Sequence, residues 1–169
     1  AFFKYPKGSV KLKNRDSVNE KKYGYFQVNK KAFEKLMTNL EISYYEKENQ
    51  RIYHRHPLVY LTEAADDICY SIIDFEDGLR LGWIDFNEGV NILKEIIGEK
   101  LYEKRFNEIP SKEEKIGYLR ANIIGLLIED LASIFINNEE KFLDGSFSSS
   151  LIDSSRYIKG LDKIKKLSI

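Results

Sequence analysis

The chain has 169 residues, 43% of them hydrophobic and 32% charged, enough for a domain with a real core. Its 27 Lys and Arg balance 27 Asp and Glu, which argues against a generic polyanion binder. Cys69 is the only cysteine, so no disulfide framework exists and the composition suits a reducing cytoplasm. No apolar run approaches the roughly 20 residues that a membrane-spanning helix needs, and no secretory signal or internal repeat is visible.

Residues 1–31 hide a local bias. Nine lysines and arginines there face only Asp16 and Glu20, and Gly8, Asn14 and Ser17 lie among them. The pattern predicts a mobile basic loop over 7–21, either a solvated surface or a place for phosphates. A short helix is expected from Asn29 to Leu40, with Phe33, Leu36 and Met37 on one side. The polar, aromatic stretch 43–53 reads as a loop. His54 and His56 lie two apart and suit no helical chelate. His56 before Pro57 reads as a hydrogen-bonding start to a helix, and Arg55 as an ion-pair or phosphate contact.

The stretch from Pro57 to about Leu79 reads as a helix. Proline is tolerated in the first turn, and Ala64, Ile68, Ile72, Phe75 and Leu79 recur at helical spacing. Gly78 or Gly82 supplies the stop. Asp66, Tyr70 and Asp74 stand four apart, stepping by about 40° along one line. We place that line beside the apolar stripe, with a carboxylate at the core boundary. A solvated acidic face with Tyr70 against a neighbour is the plainer reading, and spacing alone does not decide between them.

After Gly82 the pattern stays helical. Asn87 is a candidate cap for a helix to about Lys104, with Val90, Leu93, Ile96, Ile97 and Leu101 inward. Ser111 and Glu114 form a capping-box pattern opening a very apolar helix to about Ile136. Arg120 in that helix is either a structural ion pair or a substrate or interface contact. Residues 137–155 read as a loop, and 154–167 as a short basic amphipathic helix. The expected fold class is all-α, a helical bundle. The chain divides into a basic loop and short helix (1–53), the central helix (54–82) and C-terminal helices (83–169).

Arg55-His56-Pro57-Leu58, then Glu63-Ala64-Ala65-Asp66-Asp67-Ile68-Cys69-Tyr70, resembles the signature of the deoxyguanosine triphosphate triphosphohydrolases. Those enzymes belong to the HD-domain metal-dependent phosphohydrolases. Lys22-Tyr23-Gly24-Tyr25-Phe26 is similar to a segment preceding that signature, and the similarity is dense over 20–82. The resemblance implies that Asp66 is the last ligand of a divalent metal site (Mg or Mn), with Asp67 the second choice. It implies Tyr70 against the deoxyribose and Asp74 on its 3′-hydroxyl. Family members also supply a histidine and an adjacent His-Asp pair earlier in the chain, and neither histidine here is followed by aspartate. The chain is therefore expected to be the C-terminal part of a longer enzyme, without its N-terminal metal-binding helices and inactive alone. The implied chemistry is hydrolysis of a dNTP, dGTP first among them, to a deoxynucleoside and tripolyphosphate. A homo-oligomer and a regulatory nucleotide or single-stranded DNA are the other implied partners. A noncatalytic nucleotide-binding or assembly module is the alternative.

Overall fold

The computed structural model describes residues 3–15, 17–20, 22–98 and 105–168. The chain is predominantly helical, with one two-stranded antiparallel sheet among the described residues. It divides into two units, Ala1–Glu63 with Asn137–Ser150, and Ala64–Ile136 with Leu151–Ile169.

In the first unit, residues 5–9 lie alongside 23–25. The Gly24 N–H donates to the Lys7 carbonyl at 2.8 Å and Ser9 N–H to the Tyr25 carbonyl at 3.0 Å. Only glycine fits at position 24, because a Cβ there would fall 1.5 Å from the Tyr5 carbonyl oxygen. Helix α1 (Lys30–Asn39) buries Phe33 and Met37. Phe33 stacks on Tyr25, ring centroids 4.0 Å apart, and meets Tyr53 edge-on at 5.7 Å.

The stretch expected to be a loop is a hairpin, β1 (Tyr44–Lys47) paired with β2 (Gln50–Tyr53) in the register Tyr44↔Tyr53 and Lys47↔Gln50. Its two-residue turn, Glu48–Asn49, has φ of 50° and 59°. Positive φ at both positions matches the twist of the flanking strands. Asn49 suits it; Glu48 is an unusual choice, and its carboxylate accepts from the Lys13 N–H at 3.1 Å.

The basic stretch 7–21 is also more ordered than composition suggested. Lys7, Leu12, Asn19 and Glu20 are buried and Val18–Glu20 form a 3-10 turn. The cause is a polar hub. The Tyr45 hydroxyl donates to one Glu20 carboxylate oxygen at 2.8 Å, Lys47 Nζ to the other at 2.8 Å, and Lys7 Nζ to the Glu20 carbonyl at 3.2 Å. Burial, then the Glu20 hydrogen bond, pushes the Tyr45 hydroxyl up to about 12. Burial, then Arg15, holds the Lys7 amine below its ordinary value.

Helix α2 (Pro57–Arg80) runs on into the second unit. It stops in a Schellman arrangement: Gly82 has φ 75°, its N–H reaches the Leu79 carbonyl at 3.3 Å, and Trp83 N–H reaches Gly78 at 2.9 Å. Of the two candidate stops, Gly82 is the one used. Gly78 instead sits so close to Ile84 that a Cβ would approach it at 2.7 Å.

Helix α3 (Phe86–Ile97) is capped by Asp85, whose carboxylate accepts from the N–H groups of Asn87 and Glu88, so the cap lies two residues before the expected Asn87. It ends at Gly98, φ 83°, earlier than expected; residues 99–104 lie outside those described. Helix α4 (Lys112–Asn137) opens as the capping pattern predicts, with Glu114 N–H on Ser111 Oγ at 3.1 Å.

The expected 137–155 loop contains α5 (Glu139–Leu143) and a 3-10 turn at Ile152–Ser154. The last helix, α6 (Ile158–Leu167), starts late because Ser155 Oγ and Arg156 N–H are donors to the buried Asp130 at 2.7 and 3.2 Å. Gly160 permits close packing on α3, since a Cβ there would sit 2.4 Å from Ile96.

Candidate functional site

One face of α2 makes core and the opposite one meets solvent. Ala64, Ile68, Ile72, Phe75 and Leu79 are buried, whereas Asp66, Cys69, Tyr70, Ile73, Asp74 and Asp77 are exposed, Tyr70 to 69%. Asp66, Tyr70 and Asp74 thus share one open edge, each about 6 Å further along the axis than the last. Their line opposes the apolar stripe; placing it beside the core was an error. Two residues past Ala64 is a rotation of about 200°, which carries Asp66 to the far side. The half-buried carboxylate at the boundary is Asp67.

The first turns of α2 are built differently. Arg55 is buried, with its guanidinium paired to Glu63 and lying 5.4 Å from the Tyr5 ring and 5.8 Å from the Tyr60 ring. Tyr60 donates to the Phe147 carbonyl at 3.0 Å and meets Phe142 edge-on at 4.8 Å. Arg55 therefore performs the ion-pair role of its two readings. His56 Nδ1 accepts from Leu58 N–H at 3.3 Å, the expected start to the helix. His54 packs beneath Gly145, whose φ of 78° and missing Cβ leave room for the imidazole. Burial lowers the His54 pKa, with Asp144 and the Gly145 backbone acting the other way.

In the second unit Arg120 meets Glu76 at 2.6 Å, and Arg80 meets the other Glu76 oxygen at 2.8 Å. Glu76 is 5% exposed, a carboxylate held between two guanidiniums that ties α2 to α4. The Glu76–Arg80 pair was legible as an i,i+4 spacing. That Arg120 completes it, 44 residues away, was not.

Whether these residues hold a metal alone is a question of donors. Among the described residues no three His, Cys, Asp or Glu side chains gather as a metal group. His56 Nδ1 serves the backbone, and one or two aspartates on a helix edge do not make a closed site. The carboxylates of the described α2 edge would supply part of an ion's coordination rather than all of it.

What the fold and edge define is a helical protein that offers acid, phenol and acid along an open helix face. No family model matches the chain. Over 98% of its length it is 33% identical to a deoxyguanosinetriphosphate triphosphohydrolase-like protein of Synechocystis sp., of which the match spans 38%. A like-named protein of Listeria monocytogenes is 31% identical over 92% of the chain, and a deoxyguanosinetriphosphate triphosphohydrolase of Yersinia enterocolitica 30% over 72%. The chain belongs to this family of deoxyguanosinetriphosphate triphosphohydrolase-like proteins. It spans about a third of the length of the curated relatives it matches, 34% of the Listeria protein and 27% of the Yersinia one. No helix among the described residues is long and apolar enough to cross a membrane.

Proposed function

We propose that this chain carries the sugar-reading part of an HD-type deoxynucleoside triphosphate triphosphohydrolase. The observation that carries the reading is the open edge of α2, where Asp66, Tyr70 and Asp74 lie in one line on the segment with the family signature. In this reading the Tyr70 ring lies against the deoxyribose, where a ribose 2′-hydroxyl would have to fit, and Asp74 accepts from the 3′-hydroxyl. Asp66 is the carboxylate offered to a divalent ion, magnesium or manganese, with Asp67 second. The other ligands come from residues outside this chain, so the chain alone is inactive. When bound, the ion would polarise a phosphoryl oxygen and orient water or hydroxide at the α-phosphate. The chain's own residues hold the sugar and thereby set where that phosphate sits. Since the relatives are named for deoxyguanosine triphosphate, dGTP is the first substrate to offer.

The test is phosphorus NMR of the full-length protein with dGTP and magnesium or manganese. Tripolyphosphate should appear with wild type and vanish with Asp66→Ala. Release of orthophosphate or pyrophosphate instead overturns the reading. An independent probe is Cys69, exposed on the same helix between Asp66 and Ile73. Bound dGTP should slow its alkylation by a maleimide, and an unchanged rate at saturating nucleotide counts against the site.

A further inference from the structure

The open side of α2 continues past Asp66, Tyr70 and Asp74. Tyr70 has Asp67 about 60° to one side of it around the axis and Ile73 about 60° to the other. Asp67 is half-buried, whereas Ile73 is 45% exposed although aliphatic. Seven residues on from Ile73, and within about 20° of its line, stands Arg80. An arginine on a helix leans back toward the N-terminus. Here Nε and Nη2 of Arg80 meet one Glu76 oxygen at 2.9 and 2.8 Å, which brings the guanidinium to within about one turn of Ile73.

Arg120 of α4 reaches the other Glu76 oxygen through a single nitrogen, Nη1, at 2.6 Å. Both arginine side chains are nearly half-exposed, and their remaining N–H groups meet no partner among the described residues. A buried carboxylate therefore fixes two planar guanidiniums that keep donors to spare. The charge around them is not positive. Asp74 and Asp77 are exposed on the same stretch of α2, so with Glu76 three carboxylates stand against two guanidiniums. That balance disfavours a polyphosphate and suits a neutral group with two adjacent acceptors.

We infer that Arg80 and Arg120 read the base of the nucleotide, with Ile73 as the apolar surface beneath it. The inference rests on the substrate reading, in which Tyr70 holds the deoxyribose and the phosphates run toward Asp66. The base then leaves Tyr70 on the Ile73 side. The level of Glu76 is about 9 Å beyond Tyr70 along the axis, comparable with the span from a deoxyribose to the far edge of a purine. Guanidiniums only donate. Guanine turns two acceptors, O6 and N7, to one edge; adenine has a donating amino group in place of O6, and cytosine one at N4. The pair therefore favours guanine.

The experiment uses the full-length protein with magnesium or manganese and compares kcat/KM for dGTP, dITP, 7-deaza-dGTP and dATP, reading tripolyphosphate. dITP keeps O6 and N7 and should be turned over like dGTP. 7-deaza-dGTP, which lacks N7, and dATP should each be about tenfold poorer. Arg80→Gln and Arg120→Gln should each cut the preference for dGTP over dATP by about tenfold, since glutamine offers the donor and acceptor that adenine needs. Damage to the fold alone would lower both substrates together and keep their ratio, and the analogues test the wild type without any substitution. Equal turnover of 7-deaza-dGTP and dGTP, dITP as poor as dATP, or a ratio unmoved in either variant overturns the inference alone. Absence of tripolyphosphate with every nucleotide overturns the substrate reading and this inference with it.

Discussion

Asp74 and Glu76 stand two residues apart on one helix, and their surroundings are opposite. Asp74 is exposed on the open edge, while Glu76 is buried and takes one guanidinium from its own helix and one from α4. The same division holds for the helix as a whole. At its start Arg55, Glu63 and Tyr60 are committed to neighbours, and in its middle Asp66, Tyr70 and Asp74 face solvent. An ionised group in the interior has to be paired to be tolerated. One left in water on a regular face, as Asp74 is, costs the fold little. Charges that hold the molecule together and charges offered outward are therefore separated by rotation about a single axis.

The largest test of that separation is Asp66→Ala in the full-length protein. Tripolyphosphate release should be abolished while the thermal midpoint scarcely moves, because exposed substitutions typically stay within about 0.5 kcal/mol. A fall in stability parallel to the loss of activity would place Asp66 with the structural charges. Glu76→Gln should do the reverse. It leaves two arginines facing a neutral amide, and since both are nearly half-exposed the cost is about 1–2 kcal/mol rather than that of a fully buried pair. Urea denaturation of the chain measures it, and an unchanged midpoint would show that the two ion pairs contribute nothing.

Asp74→Ala should raise KM for dGTP by about tenfold, as expected for loss of one hydrogen bond to a charged acceptor. Steady-state kinetics of the full-length protein reads this, with unfolding of the same variant as the control. The smallest effect concerns the Glu20 hub. Tyr45 is raised from the usual tyrosine value to about 12, so its neutral form is favoured by folding. The stability it contributes is fully present below pH about 10 and is lost as pH rises through about 12. Alkaline unfolding followed by circular dichroism should therefore be less steep for Tyr45→Phe than for wild type.

Local chemistry made much of this protein readable in advance. The α2 stripe, the Ser111 cap and the length of α4 follow from spacings within a few turns, because a helix is decided by neighbours three and four residues away. The common line of Asp66, Tyr70 and Asp74 is equally local. The hairpin at 44–53 was missed because its strands are short and polar, and they are held by pairing and by Tyr53 in the core rather than by their own alternation. The basic stretch was misjudged for a related reason: nothing near Lys7 or Glu20 in the chain announces Tyr45 and Lys47.

From the residues in order came the long helices, the Gly82 stop, the Ser111 cap and which side chains share a face, but not the Asp85 cap, the end of α3 at Gly98 or α5. Which charge finds a partner was decided by tertiary structure alone. Residue type alone left Arg55 and Arg120 open between an ion pair and a ligand contact; the carboxylate each one meets, Glu63 and Glu76, is fixed by packing. The reason is physical: periodicity sets directions around an axis, but desolvation depends on what the fold brings to the other side.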